Sequence, residues 1–532
     1  MNVSRLSLFL FTWLPLMYAC EPQKFDLIIL NAEVYSGEDQ LAKRQDVGII
    51  GDKIAAIGNL QKAEAPQRFD AQNLALSPGF IDVHAHLDPI FRYPDAESHV
   101  RQGVTTALGG PDGGGPVRME EHLSKLEAEA LGMNVGFLVG HNSIREKTLG
   151  NENRAPTADE LDTMKVDVAN AMEAGAFGLS TGLKYLPGAF SEVGEVIALS
   201  AVAAEYGGIY TSHLREEGLG LIEGVQEAIE IAEKADIPVV LTHHKAIGQP
   251  MWGASKRTLA MIDSARAIGL DIMADQYPYI ASYTGISVLI PAWARAGGRQ
   301  AFVSRTQDSA TRDSIHAGIV FNILNDRGGG DLKRIMLARV RWDESLEGKT
   351  LYDWAIQKGL EPTPENGADL VLEAQLKGGA SCIYFAMSDE DVDRIMAHPM
   401  TMIASDGRLT QPGEGHPHPR WYGTFPRVLG YYSRERKIIP LHTAIHKMTR
   451  LPALRMGLEN RGIIRKGAYA DLVIFDPKTV IDEATFQDPH QYPTGIYQVW
   501  VNGVHMVKDG KLTPQRGGRV LYGPGKTPLQ EE

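Results

Sequence analysis

Short apolar runs rich in β-branched residues alternate with amphipathic stretches through the middle of the chain. Eight runs end in polar residues, and they cover 79–86, 104–110, 134–141, 176–181, 208–213, 237–243, 270–275 and 400–406. The stretches between them repeat apolar residues at helical spacing, as in 157–174 and 220–235. Strands that alternate with helices form a parallel sheet, and eight such units close into a barrel. The pattern therefore predicts an α/β fold, a (β/α)8 TIM-like barrel over residues 78–444.

The connection between the last two predicted strands is too long for a single crossover. Residues 277–399 lie between them, whereas connections between neighbouring elements are usually short. We therefore predict an inserted subdomain at about 285–385, followed by a returning helix over 390–397.

Both ends of the chain carry the alternating pattern that is typical of strands. The runs are 25–35 and 46–57 before the barrel, and 470–475 and 499–507 after it. Neither end is long enough to form a sandwich alone. We therefore predict one small β-sandwich domain built from both termini, residues 21–77 and 445–532.

The first twenty residues have the pattern of an export signal. Arg5 precedes an apolar run over 6–19, which is followed by Cys20. The run is shorter than the roughly 20 apolar residues that a membrane-spanning helix needs. A cysteine directly after a small residue resembles a bacterial lipoprotein signal; plain secretion and an uncleaved anchor are the alternatives. We expect an exported protein, either periplasmic or anchored in the bacterial envelope through a lipid on Cys20.

The composition narrows the class of protein. Hydrophobic residues make up 43% of the chain and charged residues 22%, which favours a globular protein over a disordered one. The 53 basic and 66 acidic residues give a net charge of −13 without a basic run, so nucleic acid is not an expected partner. The two cysteines, Cys20 and Cys382, exclude a disulfide framework.

Polar side chains collect at the C-terminal ends of the predicted strands, where barrel enzymes keep their catalytic groups. His84 and His86 lie on the same side of strand one, because side chains alternate along a strand. Other strand ends carry Asp112, His213, His243 and Asp406. Imidazole and carboxylate together suit zinc or a similar divalent ion. A single His-x-His pair would be weak evidence, but several strand ends supplying such groups predict a metal site.

Several motifs resemble the amidohydrolase superfamily. The segment 77–86, Ser-Pro-Gly-Phe-Ile-Asp-Val-His-Ala-His, is similar to strand one of that superfamily. A narrower resemblance, to the D-aminoacylase (N-acyl-D-amino-acid deacylase) family, is carried by 178–185, 210–217, 242–245, 275–279, 405–407, 418–420, 422–426 and 470–476. It covers about residues 25–510, and it implies the barrel, the split β domain and the insertion.

The resemblance also implies two metal positions. His84, His86 and Asp406 would hold one ion, and His213 and His243 would hold a second, tighter one.

The chain departs from many members of the family at strand two. They have Gly-Asn-Cys-Gly with a bridging cysteine, whereas this chain has Gly-Pro-Asp-Gly at 110–113. Asp112 is the candidate bridging ligand, and the alternative is that it only starts a turn before the following glycines. Aspartate is harder than a thiolate, which leaves open the affinity for zinc and whether one or two ions bind.

The remaining roles concern the substrate. Asp406 is the candidate catalytic group that moves a proton from water to the leaving amine. The resemblance places Lys245, Arg420, Tyr185 and Tyr277 around the substrate carboxylate, with a packing or surface role as the alternative for each. His141 and Arg215 are expected to support the site from behind.

The predicted activity is metal-dependent hydrolysis of the amide bond of N-acyl-D-amino acids, including peptides that end in a D-residue. The expected cofactor is zinc, as one or two ions, and the expected partner is a small-molecule substrate; contact with a membrane is expected only through a lipid on Cys20. The alternatives are a cyclic-amide hydrolase resembling dihydroorotase and a non-catalytic ligand-binding lipoprotein of the same fold. The preference for D substrates rests on the resemblance alone.

Overall fold

Residues 24–526 are described by a computed structural model, and the predicted export signal and Cys20 lie outside the described residues. Within the described part of the chain, no helix is both long enough and apolar enough to cross a membrane. Three assemblies make up the fold: a barrel, a subdomain inserted into it, and a β domain that contains strands from both ends of the chain.

The barrel has eight strand positions in chain order, and neighbouring positions pair in parallel. Its strands are β6 Phe80–Asp82 and β7 Ala85–His86 at position one, β8 Val104–Gly109, β9 Asn134–Phe137 and β10 Val139–Gly140 at position three, β11 Gly178–Gly182, β12 Ile209–His213, β13 Val239–Leu241, β14 Ile272–Gln276, and β18 Thr401–Ile403 with β19 Gly407–Arg408 at position eight. The barrel closes where β19 pairs with β7, and there Asp406 N donates to His84 O at 2.9 Å. The predicted eight-stranded barrel is confirmed.

Helices on the outside of the barrel follow most of these strands. They are α1 Glu97–Val100, α2 Met119–Glu127, α3 His141–Leu149, α4 Ala158–Ala174, α5 Val193–Glu205, α6 Leu221–Ala235, α7 Ser255–Ala267, α13 Asp389–Ala397, α14 Arg420–Arg427, α15 Leu441–Met448 and α16 Arg450–Arg455. Helix α4 shows how the sequence defines them. Its Thr157 and Glu160 form a capping box, and its end is the left-handed Gly175. The predicted boundary at residue 444 falls inside α15, which buries apolar residues against the barrel.

The inserted subdomain has its own sheet and its own core. Strands β15 Ser282–Gly285, β16 Ile335–Arg339 and β17 Ser381–Tyr384 pair antiparallel in the order β15-β17-β16, and the helices are α8 Ala292–Arg295, α9 Gly298–Gln307, α10 Ser309–Asn322, α11 Leu351–Gln357 and α12 Pro364–Lys377. Helix α10 begins where the Asp308 side chain accepts from Thr311 N at 2.8 Å. Its apolar residues Ile315 and Ile319, one turn apart, are fully buried in the core of the subdomain.

The β domain is a single curled sheet of nine strands. They are β1 Leu27–Val34, β2 Lys43–Ile50, β3 Lys53–Gly58, β4 Gln67–Asp70, β5 Ala75–Pro78, β20 Leu472–Phe475, β21 Ile496–Val501, β22 Val504–Lys508 and β23 Lys511–Leu512. The two ends of the chain meet where β5 pairs antiparallel with β20. The predicted sandwich is therefore realised as one hydrogen-bonded sheet folded over its core. Its hairpins touch, since a Cβ on Gly503 would lie 2.3 Å from the Gly51 carbonyl oxygen.

The chain after the β domain returns to the barrel. Val135 N donates to Arg519 O at 2.9 Å, and Leu521 N donates to Val135 O at 2.7 Å. This segment, which the sequence analysis assigned to the β domain, lies at the N-terminal start of strand three. The C-terminal ends of the strands, on the opposite side, are left to form the site.

Candidate metal centre and active site

The C-terminal ends of the barrel strands surround a cavity of about 290 Å³. Five of the six predicted metal ligands line it: His86, Asp112, His213, His243 and Asp406. The sixth, His84, is fully buried and contacts the carboxylates of Asp112 and Asp406.

The first cluster joins strands one, two and eight. His86 Nε2 lies 3.1 Å from Asp406 Oδ1 and 3.7 Å from Asp112 Oδ2. His84 Nε2 lies 3.5 Å from Asp112 Oδ1 and 3.7 Å from Asp406 Oδ1. One ligand atom from each of the four residues lies within 4.8 Å of the others.

The second cluster shares Asp112 with the first. Asp112 Oδ1 lies 3.6 Å from His213 Nδ1 and 3.4 Å from His243 Nε2. Asp112, the candidate bridging ligand, therefore stands between the two sets of histidines.

The residues fit a divalent ion. Among the described residues, His84 Nε2, His213 Nδ1 and Asp112 Oδ1 are buried without a hydrogen-bond partner, which is costly for a polar atom. Their separations of 3.5 and 3.6 Å are too long for good hydrogen bonds. Tetrahedral zinc ligands at ordinary bond lengths are about 3.3 Å apart. A cation in each cluster would give all of these atoms a partner.

Three of the candidate ligands have a strained backbone. Asp112, His243 and Asp406 have φ of 55°, 37° and 47°, in the left-handed region that favours glycine. Each such residue costs on the order of 1–3 kcal/mol and persists only where its surroundings hold it. His243 N donates to the buried carboxylate of Asp275 at 2.6 Å, and Asp406 N donates to His84 O at 2.9 Å. These hydrogen bonds hold the backbone of His243 and Asp406 in this conformation at the edge of the cavity.

A buried carboxylate that the sequence analysis did not assign, Glu217, supports the second cluster. Its oxygens lie 3.5 Å from His213 Nε2 and 3.2 Å from His243 Nδ1, which are the nitrogens that face away from Asp112. Burial would raise the pKa of Glu217, but Lys245 and the two imidazoles hold it well below its usual range. The negative charge of this carboxylate favours a proton on His213 Nε2 and so leaves Nδ1 of that ring free to bind a metal. At His243, Lys245 Nζ lies 2.6 Å from the same Nδ1 that faces Glu217.

The predicted carboxylate-binding residues also line the cavity. Lys245 Nζ is bound to Glu217 and donates to His243 O at 2.7 Å. The Tyr185 ring lies 4.5 Å from the His213 ring, and its hydroxyl accepts from Thr284 Oγ1 at 3.2 Å. Thr284 belongs to β15, so the inserted subdomain forms one wall of the cavity.

Arg420 and Tyr277 lie on the side of Asp406. Arg420 Nη1 is 3.0 Å from Asp406 Oδ2, and the guanidinium lies 4.5 Å from the centre of the Tyr277 ring. His418 Nδ1 accepts from Arg420 N at 3.0 Å and so helps to place it. Burial would raise the pKa of Asp406, but Arg420 and His86 lower it below its usual range. Asp406 is therefore ionised at neutral pH and can accept a proton.

The chain is similar to known proteins in both sequence and structure. The sequence pattern of the amidohydrolase family matches residues 67–507. The chain belongs to this family. It is 36% identical to the D-aminoacylase of Alcaligenes xylosoxydans xylosoxydans, over 95% of this chain and 99% of that one.

Two solved amidohydrolase structures are also similar. A D-aminoacylase, studied for the functional role of its binuclear metal centre, superposes with a TM-score of 0.80 at 35% identity, over 94% of this chain and 100% of that one. The N-acyl-D-glutamate deacylase of Bordetella bronchiseptica, complexed with zinc and a phosphonate mimic of the tetrahedral intermediate, gives 0.79 at 34% identity, again over 94% and 100%.

Two residues that were expected to support the site of this amidohydrolase lie elsewhere. His141 Nε2 is 2.7 Å from Glu195 Oε1, which also pairs with Arg145. Arg215 pairs with Glu227 at 2.7 Å. Neither residue lines the cavity, and both are paired with carboxylates of the outer helices α5 and α6.

Proposed function

We propose that this amidohydrolase cleaves the amide bond of N-acyl-D-amino acids, releasing a carboxylate and a D-amino acid. The observation that carries the proposal is the pair of clusters that share Asp112 at the mouth of the barrel. The likeness to a D-aminoacylase over 95% of the chain supports the substrate class. Peptides that end in a D-residue present the same amide and the same terminal carboxylate, so they belong to the proposed class as well.

The two clusters define which residues would hold the cofactor. His84, His86 and Asp406 would bind one zinc ion, and His213 and His243 a second, with Asp112 between them. Zinc bound there would polarise the amide carbonyl and make water more acidic.

Asp406 has the position and the charge of the proton carrier. Arg420 holds its Oδ2 at 3.0 Å, so Oδ1 is the oxygen left toward the histidines and the cavity. We propose that the Asp406 carboxylate accepts the proton of the attacking water and then delivers it to the amide nitrogen, which leaves poorly unless it is protonated. The aspartate ends the reaction ionised again, and no other group has to store the proton.

The substrate carboxylate would bind on the side of Arg420 and Tyr277. The Tyr277 hydroxyl is buried without a hydrogen-bond partner in the described structure, so it is available as a donor. Arg420 supplies a planar donor group suited to a carboxylate. Lys245 and Tyr185 complete the proposed subsite, with Lys245 contributing mainly its charge because Glu217 already holds it.

The test is amine release from paired N-acetyl-D- and N-acetyl-L-amino acids by the zinc-loaded chain without its first 19 residues. Release from D substrates alone, lost in Asp406→Asn but kept in Glu195→Gln, supports the proposal; Glu195 is an equally buried carboxylate outside the cavity. Release from L substrates would refute the proposed selectivity for D-amino acids, but the proposal of an amide hydrolase would stand. Zinc-loaded protein that releases nothing would refute the function, and cyclic amides would be the next substrates.

We also propose that the chain is exported and carries a lipid on Cys20. The support is the apolar run over 6–19 and the cysteine that follows it. Palmitate labelling and membrane fractionation of the wild type and of Cys20→Ser test this. A labelled, membrane-bound wild type and an unlabelled variant are expected. An unlabelled wild type in the periplasmic fraction would refute the anchor and leave plain secretion.

A further inference from the structure

The inserted subdomain brings a buried arginine to the cavity. Arg327 ends the single turn of π-helix Ile323–Arg327 that follows α10, and it lines the cavity together with Ser282 and Thr284 of β15. The residue is only 3% exposed. A cation that is this deeply buried needs a partner, because the loss of its hydration is costly.

The partners that the structure supplies are few. Arg327 Nη1 donates to Ser282 Oγ at 3.2 Å, and Nε lies 3.5 Å from Asp326 Oδ2 without forming a hydrogen bond. Lys184 lies 3.8 Å from the same Asp326 oxygen, so this carboxylate is shared between two cations. A guanidinium carries five N–H groups. Within the described chain, the bond to Ser282 is the one hydrogen bond that the Arg327 side chain makes, and the guanidinium lies 5.3 Å from the centre of the Tyr384 ring.

The other buried cations of the cavity are better neutralised. Arg420 lies 3.0 Å from Asp406, and Lys245 is bound to Glu217. In the proposed function, these two also face the carboxylate that every N-acyl amino acid carries. Arg327 is therefore left over by the chemistry described so far, although its burial and its position in the cavity wall match theirs.

We propose that Arg327 binds a second carboxylate of the substrate, so that the enzyme favours N-acyl-D-amino acids with two carboxylates. Ser282 belongs to the same subsite. Its Oγ accepts from Arg327 and so leaves its own proton free to donate to the same anion. The inference rests on the proposed function. The second carboxylate can belong to the amino-acid side chain or to the acyl group, and the same chemistry recognises both.

The test compares kcat/KM for three substrates of the zinc-loaded enzyme: N-acetyl-D-leucine, N-acetyl-D-glutamate and N-succinyl-D-leucine. We expect at least one dicarboxylate to be preferred over N-acetyl-D-leucine by 10-fold or more. In Arg327→Gln, the ratio of kcat/KM for the preferred dicarboxylate to kcat/KM for N-acetyl-D-leucine should fall by about 10- to 100-fold. That is the usual range for losing a hydrogen bond to a charged group. Arg327→Lys should recover part of the ratio, because the positive charge remains.

The third arginine that lines the cavity, Arg408, provides the matched control. The Arg408 side chain is 48% exposed and lies 3.6 Å from Asp88, so solvent screens its charge. Arg408→Gln should change the ratio much less than Arg327→Gln. Zinc content and thermal unfolding of each variant show whether it is folded.

The outcomes separate this inference from the proposed function. A preference for N-acetyl-D-glutamate supports a subsite for the side chain, and a preference for N-succinyl-D-leucine supports one for the acyl group. Efficient turnover of N-acetyl-D-leucine with no gain from either second carboxylate would overturn the inference and leave the function standing. An equal loss on all three substrates in Arg327→Gln would make it a structural residue. No release from any substrate would refute the function itself.

Discussion

The Glu217 carboxylate offers the sharpest test of the metal centre, because it contacts both histidines of one cluster and none of the other. Glu217→Gln keeps the size of the side chain but removes its charge. The His213 and His243 rings lose the anion that lies 3.5 and 3.2 Å from their far nitrogens. Lys245, only 5% exposed, loses its anionic partner and remains beside His243. Both effects weaken the second cluster as a cation site.

The size of the effect follows from these contacts. Removing the group that orients one metal-binding histidine costs about 10- to 100-fold in metal affinity. Glu217 serves two histidines, so we expect a loss of about 100-fold or more at this cluster, which corresponds to roughly 2.7 kcal/mol. The first cluster should bind as before, since Glu217 does not contact His84, His86 or Asp406.

The assay is a zinc titration of the metal-free protein against a coloured competing chelator, read together with the visible spectrum of the cobalt-loaded form. Glu217→Gln should weaken one binding event, and His86→Asn should weaken the other. Glu195→Gln is the control, because Glu195 is equally buried and also paired with a histidine, His141. The reasoning would be refuted if Glu217→Gln bound zinc with the affinity of the wild type, or if Glu195→Gln lost as much zinc affinity as Glu217→Gln.

Three further predictions concern the bridge, the proton carrier and acid stability. Asp406→Asn should lower kcat by about 10²–10⁴-fold in steady-state assays; retained turnover would remove it from proton transfer. Asp112→Ala should bind fewer zinc ions than Asp112→Cys by elemental analysis, and equal contents would exclude a bridging role. Burial lowers the pKa of His99 to about 4 in the folded protein. As the pH falls below about 6.5, His99 is therefore protonated in the unfolded chain but not in the folded one. The free energy of unfolding then decreases by up to about 3 kcal/mol. Urea unfolding of His99→Phe should show a smaller drop between pH 7 and 4.5; an unchanged drop would contradict this.

The parts of the fold that the sequence predicts well are those with a local signal. Each barrel strand is an apolar run that ends in a polar group, and His84, Asp112, His213 and Asp406 mark four of those ends. The alternation of side chains along a strand then places the ligands in the mouth of the barrel.

The parts that the sequence does not predict depend on distant pairing. Strand β5 joins β20 across about 400 residues, and nothing in either segment specifies that the domain is one curled sheet. Residues 519–521 pair with strand three without a strand-like pattern of their own.

Two side chains of the cavity wall were missed for the same physical reason. Glu217 lies four residues past His213, in a loop whose path decides whether the carboxylate turns toward the histidines. Arg327 reaches the cavity only because the insertion folds back over the barrel. A lone charged residue in a loop or an insertion resembles any surface charge until its surroundings are known.

The way the barrel closes has a consequence for biosynthesis. The second cluster, which consists of Asp112, His213 and His243, has been fully synthesised once the ribosome has passed strand six. The first cluster is not fully synthesised until Asp406, which follows His86 by 320 residues. A chain released before strand eight would still contain one set of ligands but would lack the proton carrier. The complete set of candidate ligands therefore comes together only in a chain that has been translated through strand eight and has closed the barrel.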